Sequence, residues 1–307
     1  MKIFVDRKPV TGPWGGGNKT VMELCDQFKE AGHEVVHRLN HDDIDILFCF
    51  DPRDNEHGEG YRDYFNYRNT FLVPIIQRVG DCGTHGKPKL TDLVKGTVAA
   101  SDFIIFPSEW AKKLIGFEGN NCAVIRNAPL SEFHKLKKDH TKANDKIRLV
   151  THHWSPNPKK GYSLYKKLDD YIKNREDISF TYIGRWPIEP LVNSEYFPPT
   201  GDNDFISEKI SECDIYLTAS EEEAGANHVL EGMACGLPVA YHTNGGSIPE
   251  YCGDNGVGFE DFDQMLSAIQ TIKQDYAFYK SNVLKYNESI ETVVNKYVEI
   301  ACCTKLT

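Results

Sequence analysis

The chain has 307 residues, of which 40% are hydrophobic, 26% charged and 11% aromatic. That length suits two domains, each large enough to bury a core, and the composition excludes disordered, collagen-like and coiled-coil chains. The net charge of −10 divides into −1 over residues 1–145 and −9 over residues 146–307. An acidic chain without a basic, aromatic-studded stripe argues against a nucleic-acid partner.

No apolar run approaches the ~20 residues that cross a bilayer. The opening MKIFVDRKPV carries a charge inside its short apolar stretch, unlike a signal peptide. Of the nine cysteines, Cys49, Cys122, Cys213 and Cys235 sit in or beside apolar segments, and no two CxxC pairs occur. Reduced thiols, a cytoplasmic home and no structural zinc are expected.

In chain order, KIFVD (2–6) predicts a strand and the turn-rich GPWGGGNK (12–19) a loop. A helix follows over 19–31, with Val21, Leu24, Cys25 and Phe28 on one face and Gly32 just past its end. EVVHRL (34–39), DILFCF (45–50), TFLVPII (70–76), DFIIFPS (102–108) and CAVIRNA (122–128) read as further strands. Their near-continuous hydrophobicity predicts a parallel sheet covered by helices on both faces. The polar LKKDHTKANDK (136–146) reads as a linker.

A second alternating series begins with the strand IRLVTHHW (147–154), a helix over 160–173 and the strand ISFTYIG (178–184). Helix 206–213, strand DIYLTAS (214–220), helix 226–235 and strand LPVAYHT (237–243) complete it, and the pattern after Phe262 is helical. The fold class is therefore α/β. An N-terminal Rossmann-like domain is expected over 1–140, completed by an amphipathic C-terminal helix within 288–307, and a second over 146–287. Ligands of such sheets bind beyond the carboxyl ends of the strands, so a cleft between the two is the expected site.

The most informative stretch is SEEEAGANHVLEGMACGLPVAYHTNGGSIPEY, residues 220–251. Carboxylates follow the strand at once, and Gly225 is expected to begin a helix, with Ala226 and Asn227 next, whose backbone N–H groups and dipole attract phosphate. Glu223 and Glu231 flank that start, and a carboxylate accepting two hydrogen bonds suits a vicinal diol. Glu221 and Glu222 read more simply as partners of the helix dipole.

This stretch resembles the signature of the GT-B-fold retaining glycosyltransferases, the group 1 family that uses nucleotide-sugar donors. Its mark stands here as Glu223, then Glu231-Gly232-Met233-Ala234-Cys235-Gly236-Leu237-Pro238-Val239, with Gly245-Gly246 and Glu250 downstream. The resemblance implies a GT-B architecture, two Rossmann-like domains with parallel sheets facing a central cleft. It also implies that Glu223 binds donor-sugar hydroxyls and Glu231 the nucleotide ribose.

In HHWSPNPKKGY (152–162), Lys160-Gly161 is similar to the family's diphosphate-binding Lys-Gly. Ser155 stands where the family has an arginine, so His152, His153 or Arg185 is the candidate for the missing donor. Lys159 reads as a solvated surface charge. In GPWGGGNK, Gly16 and Gly17 are the best match to a Gly-Gly loop of the family that faces the donor phosphates or acceptor. In QRVGDCGTHGKPK (77–89), Asp81 and His85 end a strand where family members place groups that contact donor sugar or acceptor, although a loop with satisfied side chains explains them equally well. The segment PPTGDND (198–204) would by position border the nucleobase.

The activity this implies is retaining transfer of a sugar from a nucleoside diphosphate donor, of UDP or GDP type, to a glycan, lipid-linked or other hydroxyl acceptor. Catalytic parts would be Glu223, Lys160, His85 and Asp81, with no cofactor and no metal, since cations and a helix dipole fill that role. The alternatives are a nucleotide-sugar epimerase on the same fold and a non-catalytic nucleotide-sugar-binding protein, which Ser155 keeps open. Trp110, Lys112, Lys113 and Leu114 would permit peripheral contact with an anionic membrane, and a plain amphipathic surface helix explains them as well.

Overall fold

The computed structural model describes residues 1–10, 12, 16–137, 139 and 145–304. It divides into two compact units, one formed by Met1–Asn127 with the chain from Ile290 onward, the other by Ala128–Ser289. Among the described residues, no helix is long and apolar enough to cross a membrane.

The first unit begins with β1 (Lys2–Val5), α1 (Gly16–Glu30), β2 (Glu34–Val36), β3 (Ile46–Cys49) and α2 (Tyr61–Phe71). It continues with β4 (Ile75–Arg78), α3 (Pro88–Val98), β5 (Phe103–Phe106), α4 (Glu109–Ile115) and β6 (Cys122–Val124). The six strands form one parallel sheet in the order β2-β1-β3-β4-β5-β6. All four residues of β3 and of β4 are buried, as strands covered on both faces must be.

One expectation fails here: TFLVPII is not a strand throughout. Its first two residues end α2, Leu72 caps that helix in the left-handed region at φ 57°, and the strand starts at Ile75. Tyr61, Tyr64 and Tyr67 recur every third residue and bury one face of α2, so tertiary packing overrides the strand preference of aromatic residues.

The second unit comprises α5 (Glu132–Lys135), β7 (Ile147–His153), a 3-10 turn at Pro158–Lys160, α6 (Tyr162–Tyr171), β8 (Ile178–Gly184) and β9 (Glu195–Phe197). Then come α7 (Asn203–Ser211), β10 (Ile215–Thr218), α8 (Asn227–Ala234), β11 (Val239–His242) and α9 (Ile248–Cys252). β12 (Gly256–Phe259), α10 (Phe262–Gln274) and α11 (Tyr276–Val283) complete it. The unit already includes Phe133 of α5, wholly buried in its core, ahead of the polar stretch read as a linker. Within that stretch, residues 138 and 140–144 lie outside the described residues.

Its strands are parallel in the order β12-β11-β10-β7-β8-β9, the doubly wound Rossmann arrangement. Alternate residues feed two cores: Val150 and Tyr216 with α8 on one face, Leu149, Ile215 and Leu217 with α6 and α10 on the other. The last helix, α12 (Ile290–Cys303), packs on α1 within the first unit. All nine cysteines are free thiols.

Candidate active site

In the second sheet the chain winds outward in both directions from β7 and β10, and a sheet of this kind binds ligands in the crevice where its strand order reverses. The loops leaving β7 and β10 are braced against each other at that point. Gly161 has φ +82°, and a Cβ there would fall 2.3 Å from the Ala219 Cβ and 2.4 Å from its carbonyl oxygen. Only glycine allows both the conformation and the approach. Glu221 N–H donates to the Lys159 carbonyl at 2.8 Å.

Two consecutive ion pairs cross the same gap: Lys159 with Glu222 at the surface, and Lys160 with Glu223 in a more sheltered position. A third loop holds Glu223 from the other side. Glu223 bridges to Gly246, Ser247 N–H donates to the Glu223 carbonyl at 2.8 Å, and a Cβ on Gly246 would lie 2.4 Å from that carbonyl oxygen. The Ser247 hydroxyl accepts the Ala226 N–H at 3.1 Å, just ahead of α8. No acidic residue stands in the first turn of α8 and no side chain caps it. Its positive end is therefore not neutralised from within the helix.

The same loops and strands hold the buried His152 and His153 and the half-buried His228, each meeting a hydroxyl. His152 Nε2 lies 2.6 Å from Glu231 Oε2, and its Nδ1 lies 2.9 Å from the Tyr216 hydroxyl. His153 Nε2 lies 2.9 Å from the Tyr165 hydroxyl, while its Nδ1 is buried without a hydrogen-bond partner. Burial, helped by His228 and Lys160, holds His153 well below the usual histidine range. His228 Nε2 meets the Thr218 hydroxyl at 3.0 Å, and its ring stands 4.9 Å from that of His153. Burial pushes His228 down to about 3, although the Glu223 carboxylate pulls the other way. Both rings are neutral at physiological pH, so they serve as hydrogen-bonding groups rather than cations.

The structure gathers His153, Lys160, Glu223, Gly225, Ala226, Asn227 and Glu231 around this one switch point. The helix itself starts at Asn227, with Ala226 as its cap and Gly225 outside it. Arg185 leaves the end of β8 beside them: its N–H donates to the His153 carbonyl at 3.0 Å and its side chain is exposed. Ser155 is a turn residue whose hydroxyl accepts the Asn157 N–H at 3.2 Å and whose carbonyl accepts the Tyr162 hydroxyl.

The other expected residues belong to the first unit. Gly16 and Gly17 form the first turn of α1; Thr11, Pro13, Trp14 and Gly15 of the adjoining loop lie outside the described residues. Asp81 follows β4 and is engaged locally, accepting from Gly83 N–H and Lys87 Nζ at 2.8 Å each, and His85 lies in the same loop before α3.

Tyr165, Tyr216 and Thr218 hydrogen-bond the three histidines and were not singled out by the sequence. Each lies inside a helix or strand where its pattern reads as core, and the distant partners give no local signal. Three Asp-x-Asp triplets are used locally: Asp43 and Asp45 accept from Lys2, Asp202 caps α7 and Asp261 caps α10.

A lysine ammonium, the positive end of a helix and two carboxylates around one crevice can together hold a diphosphate flanked by two hydroxyl-bearing groups. Residues 146–275 match the family Glycosyl transferases group 1. The fold is that of the GT-B glycosyltransferases. Anabaena HepE in complex with UDP-glucose aligns with TM-score 0.67 at 13% identity, covering 97% of this chain and 98% of that one. WaaG, a glycosyltransferase involved in lipopolysaccharide biosynthesis, aligns with TM-score 0.67 at 14% identity over 99% and 100%. Sucrose-phosphate synthase from Thermosynechococcus elongatus aligns with TM-score 0.69 at 13% identity over 97% and 98%. No curated protein sequence matches the chain.

Proposed function

We propose that this glycosyltransferase, whose residues 146–275 form a group 1 glycosyl transferase domain, moves a sugar from a nucleoside diphosphate donor to an acceptor hydroxyl with retention of anomeric configuration and without a metal. The observation that carries the reading is the Lys160–Glu223 pair beside the start of α8, at the switch point of the second sheet. Lys160 and the positive end of α8, at Gly225, Ala226 and Asn227, take the diphosphate and stabilise the charge that grows on it as the glycosidic bond breaks. Glu223 holds the donor-sugar hydroxyls and Glu231 the ribose. His153 and Arg185, joined through the His153 carbonyl, supply further donor-binding groups.

The acceptor attacks from the face that the diphosphate leaves, and the departing oxygen takes its proton. Alignment of the two is the protein's main task. The acceptor is a glycan, a lipid-linked compound or another hydroxyl compound. A uridine donor is favoured by the bound UDP-glucose of HepE.

Thermal unfolding against UDP, GDP, ADP, dTDP and CMP, with and without EDTA, tests the reading. A ligand at 100 times its dissociation constant stabilises the native state by about 2.7 kcal/mol. The expected result is a raised midpoint with UDP that EDTA leaves unchanged. No shift with any nucleotide overturns the site, and product formed from donor alone turns the activity into epimerisation.

A further inference from the structure

Glu231 is an unusual ligand-binding carboxylate, because it is only 5% exposed and is already bonded to a histidine that is 2% exposed. How that histidine is held decides what Glu231 can do. The Tyr216 hydroxyl touches His152 twice, accepting its backbone N–H at 3.3 Å and meeting ring Nδ1 at 2.9 Å. Burial raises the Tyr216 phenol well above its usual range, so it keeps its proton. A phenol whose lone pair receives the backbone N–H has its own proton to give, and Nδ1 is the acceptor within reach. The ring proton then resides on Nε2, facing Glu231 Oε2 at 2.6 Å as a donor.

Tyr216 is itself immovable. It lies at the middle of the second sheet, wholly buried, and α8 rests on its ring through Gly232, where a Cβ would fall 2.5 Å from the ring carbons.

We propose that Tyr216 and His152 are positioning residues that fix the Glu231 carboxylate by one directed hydrogen bond, and that this fixed carboxylate is what distinguishes a ribose diol from a sugar lacking it. The inference rests on the proposed role of Glu231 at the donor ribose and adds the device that aims it. His152 works through its Nε2–H, and Tyr216 orients that ring without touching the ligand. The bland alternative is a satisfied buried cluster that only stabilises the unit.

Titration of the full-length protein with UDP and with 2′,3′-dideoxy-UDP separates these readings. Wild type is expected to favour UDP by ~10-fold or more, the scale of a hydrogen bond to a charged group. His152→Ala and Tyr216→Phe are each expected to weaken UDP by ~10-fold and to change dideoxy-UDP less than about twofold, which collapses the discrimination. His152→Gln, whose amide N–H reaches the Nε2 position, restores it. Tyr216→Phe keeps the ring against Gly232, so it serves if His152→Ala fails to fold. Equal losses for both nucleotides, or wild-type discrimination in His152→Ala or Tyr216→Phe, overturn the proposal and leave a structural cluster. Wild type that binds both nucleotides equally also overturns it. Wild type that binds neither overturns the donor-site reading beneath it.

Discussion

The Lys160 ammonium rests on the Glu223 carboxylate across the gap between two loops, with the two side chains only 11% and 13% exposed. Each holds the other in place before any ligand arrives. A diphosphate drawn to Lys160 would then bring its sugar directly onto Glu223. Preformed charge of this kind needs no rearrangement during the reaction.

Lys160→Ala and Glu223→Ala should each lower turnover by at least ~10²–10³-fold, the loss typical of a group that stabilises transition-state charge. Circular dichroism should remain that of the folded protein, because both charges sit at the rim rather than in the core. Initial-rate assays with the preferred donor measure the effect, and normal rates in either variant would remove both residues from the mechanism.

Gly161→Ala should be costly out of proportion to one methyl group. It meets the Ala219 backbone and must also adopt φ +82°. Left-handed backbone costs about 1–2 kcal/mol for an ordinary residue, before the displacement of β10's end is counted. Urea unfolding should show a lower midpoint and the assay a lower rate, since Lys160 is the preceding residue. An unchanged midpoint would mean that the two loops are not in contact.

Stability should respond to pH with opposite signs in the two units. Asp6, buried after β1 and accepting the Phe50 and Asp51 N–H groups, is raised to about 7 by burial. The folded state holds its proton more tightly than the unfolded chain, so this contribution is full below about pH 4 and is lost as pH rises to about 7. His228, lowered to about 3, does the reverse: its contribution is present above about pH 6.5 and is lost as pH falls toward 3. Denaturant curves for Asp6→Asn should therefore approach or exceed wild type as pH rises from 4 to 7. Those for His228→Asn should gain on wild type as pH falls below 6.5. A constant offset from wild type across the range would contradict either assignment.

Lys280 is 1% exposed and gives its ammonium to the Gly236 carbonyl at 2.6 Å, just past the end of α8. A positive charge there complements the helix dipole. Lys280→Met should cost about 2–3 kcal/mol, as expected for losing a buried charged hydrogen bond. Calorimetry should show the midpoint falling by several degrees, while affinity for UDP stays close to wild type.

What could be read in the sequence was what is local. The strands announced themselves because parallel strands are apolar on both faces, and the 220–251 block did so because its glutamates, glycines and helix start lie within one loop–helix–strand segment. Sheet order was not legible, since no residue of β7 records that β10 rather than β9 lies beside it. The Tyr216–His152–Glu231 chain was invisible for the same reason: its members are 64 and 79 residues apart. α2 was missed because its tyrosines favour strands when considered singly and form a buried helix face only when taken every third residue.

Tyr297 of α12 lies wholly buried with its ring 6.2 Å from that of Phe48, in the middle of the first unit's sheet. That contact imposes a schedule on biosynthesis. As the chain leaves the ribosome, residues 1–127 emerge first and yet cannot cover α1 until residues 290–303 have been made. The second unit, continuous in sequence, can close while the first still waits for Tyr297 to reach Phe48. Its most vulnerable interval is thus the whole time needed to translate its neighbour, and helpers that shield nascent apolar surface would act on the earliest part of the chain for longest.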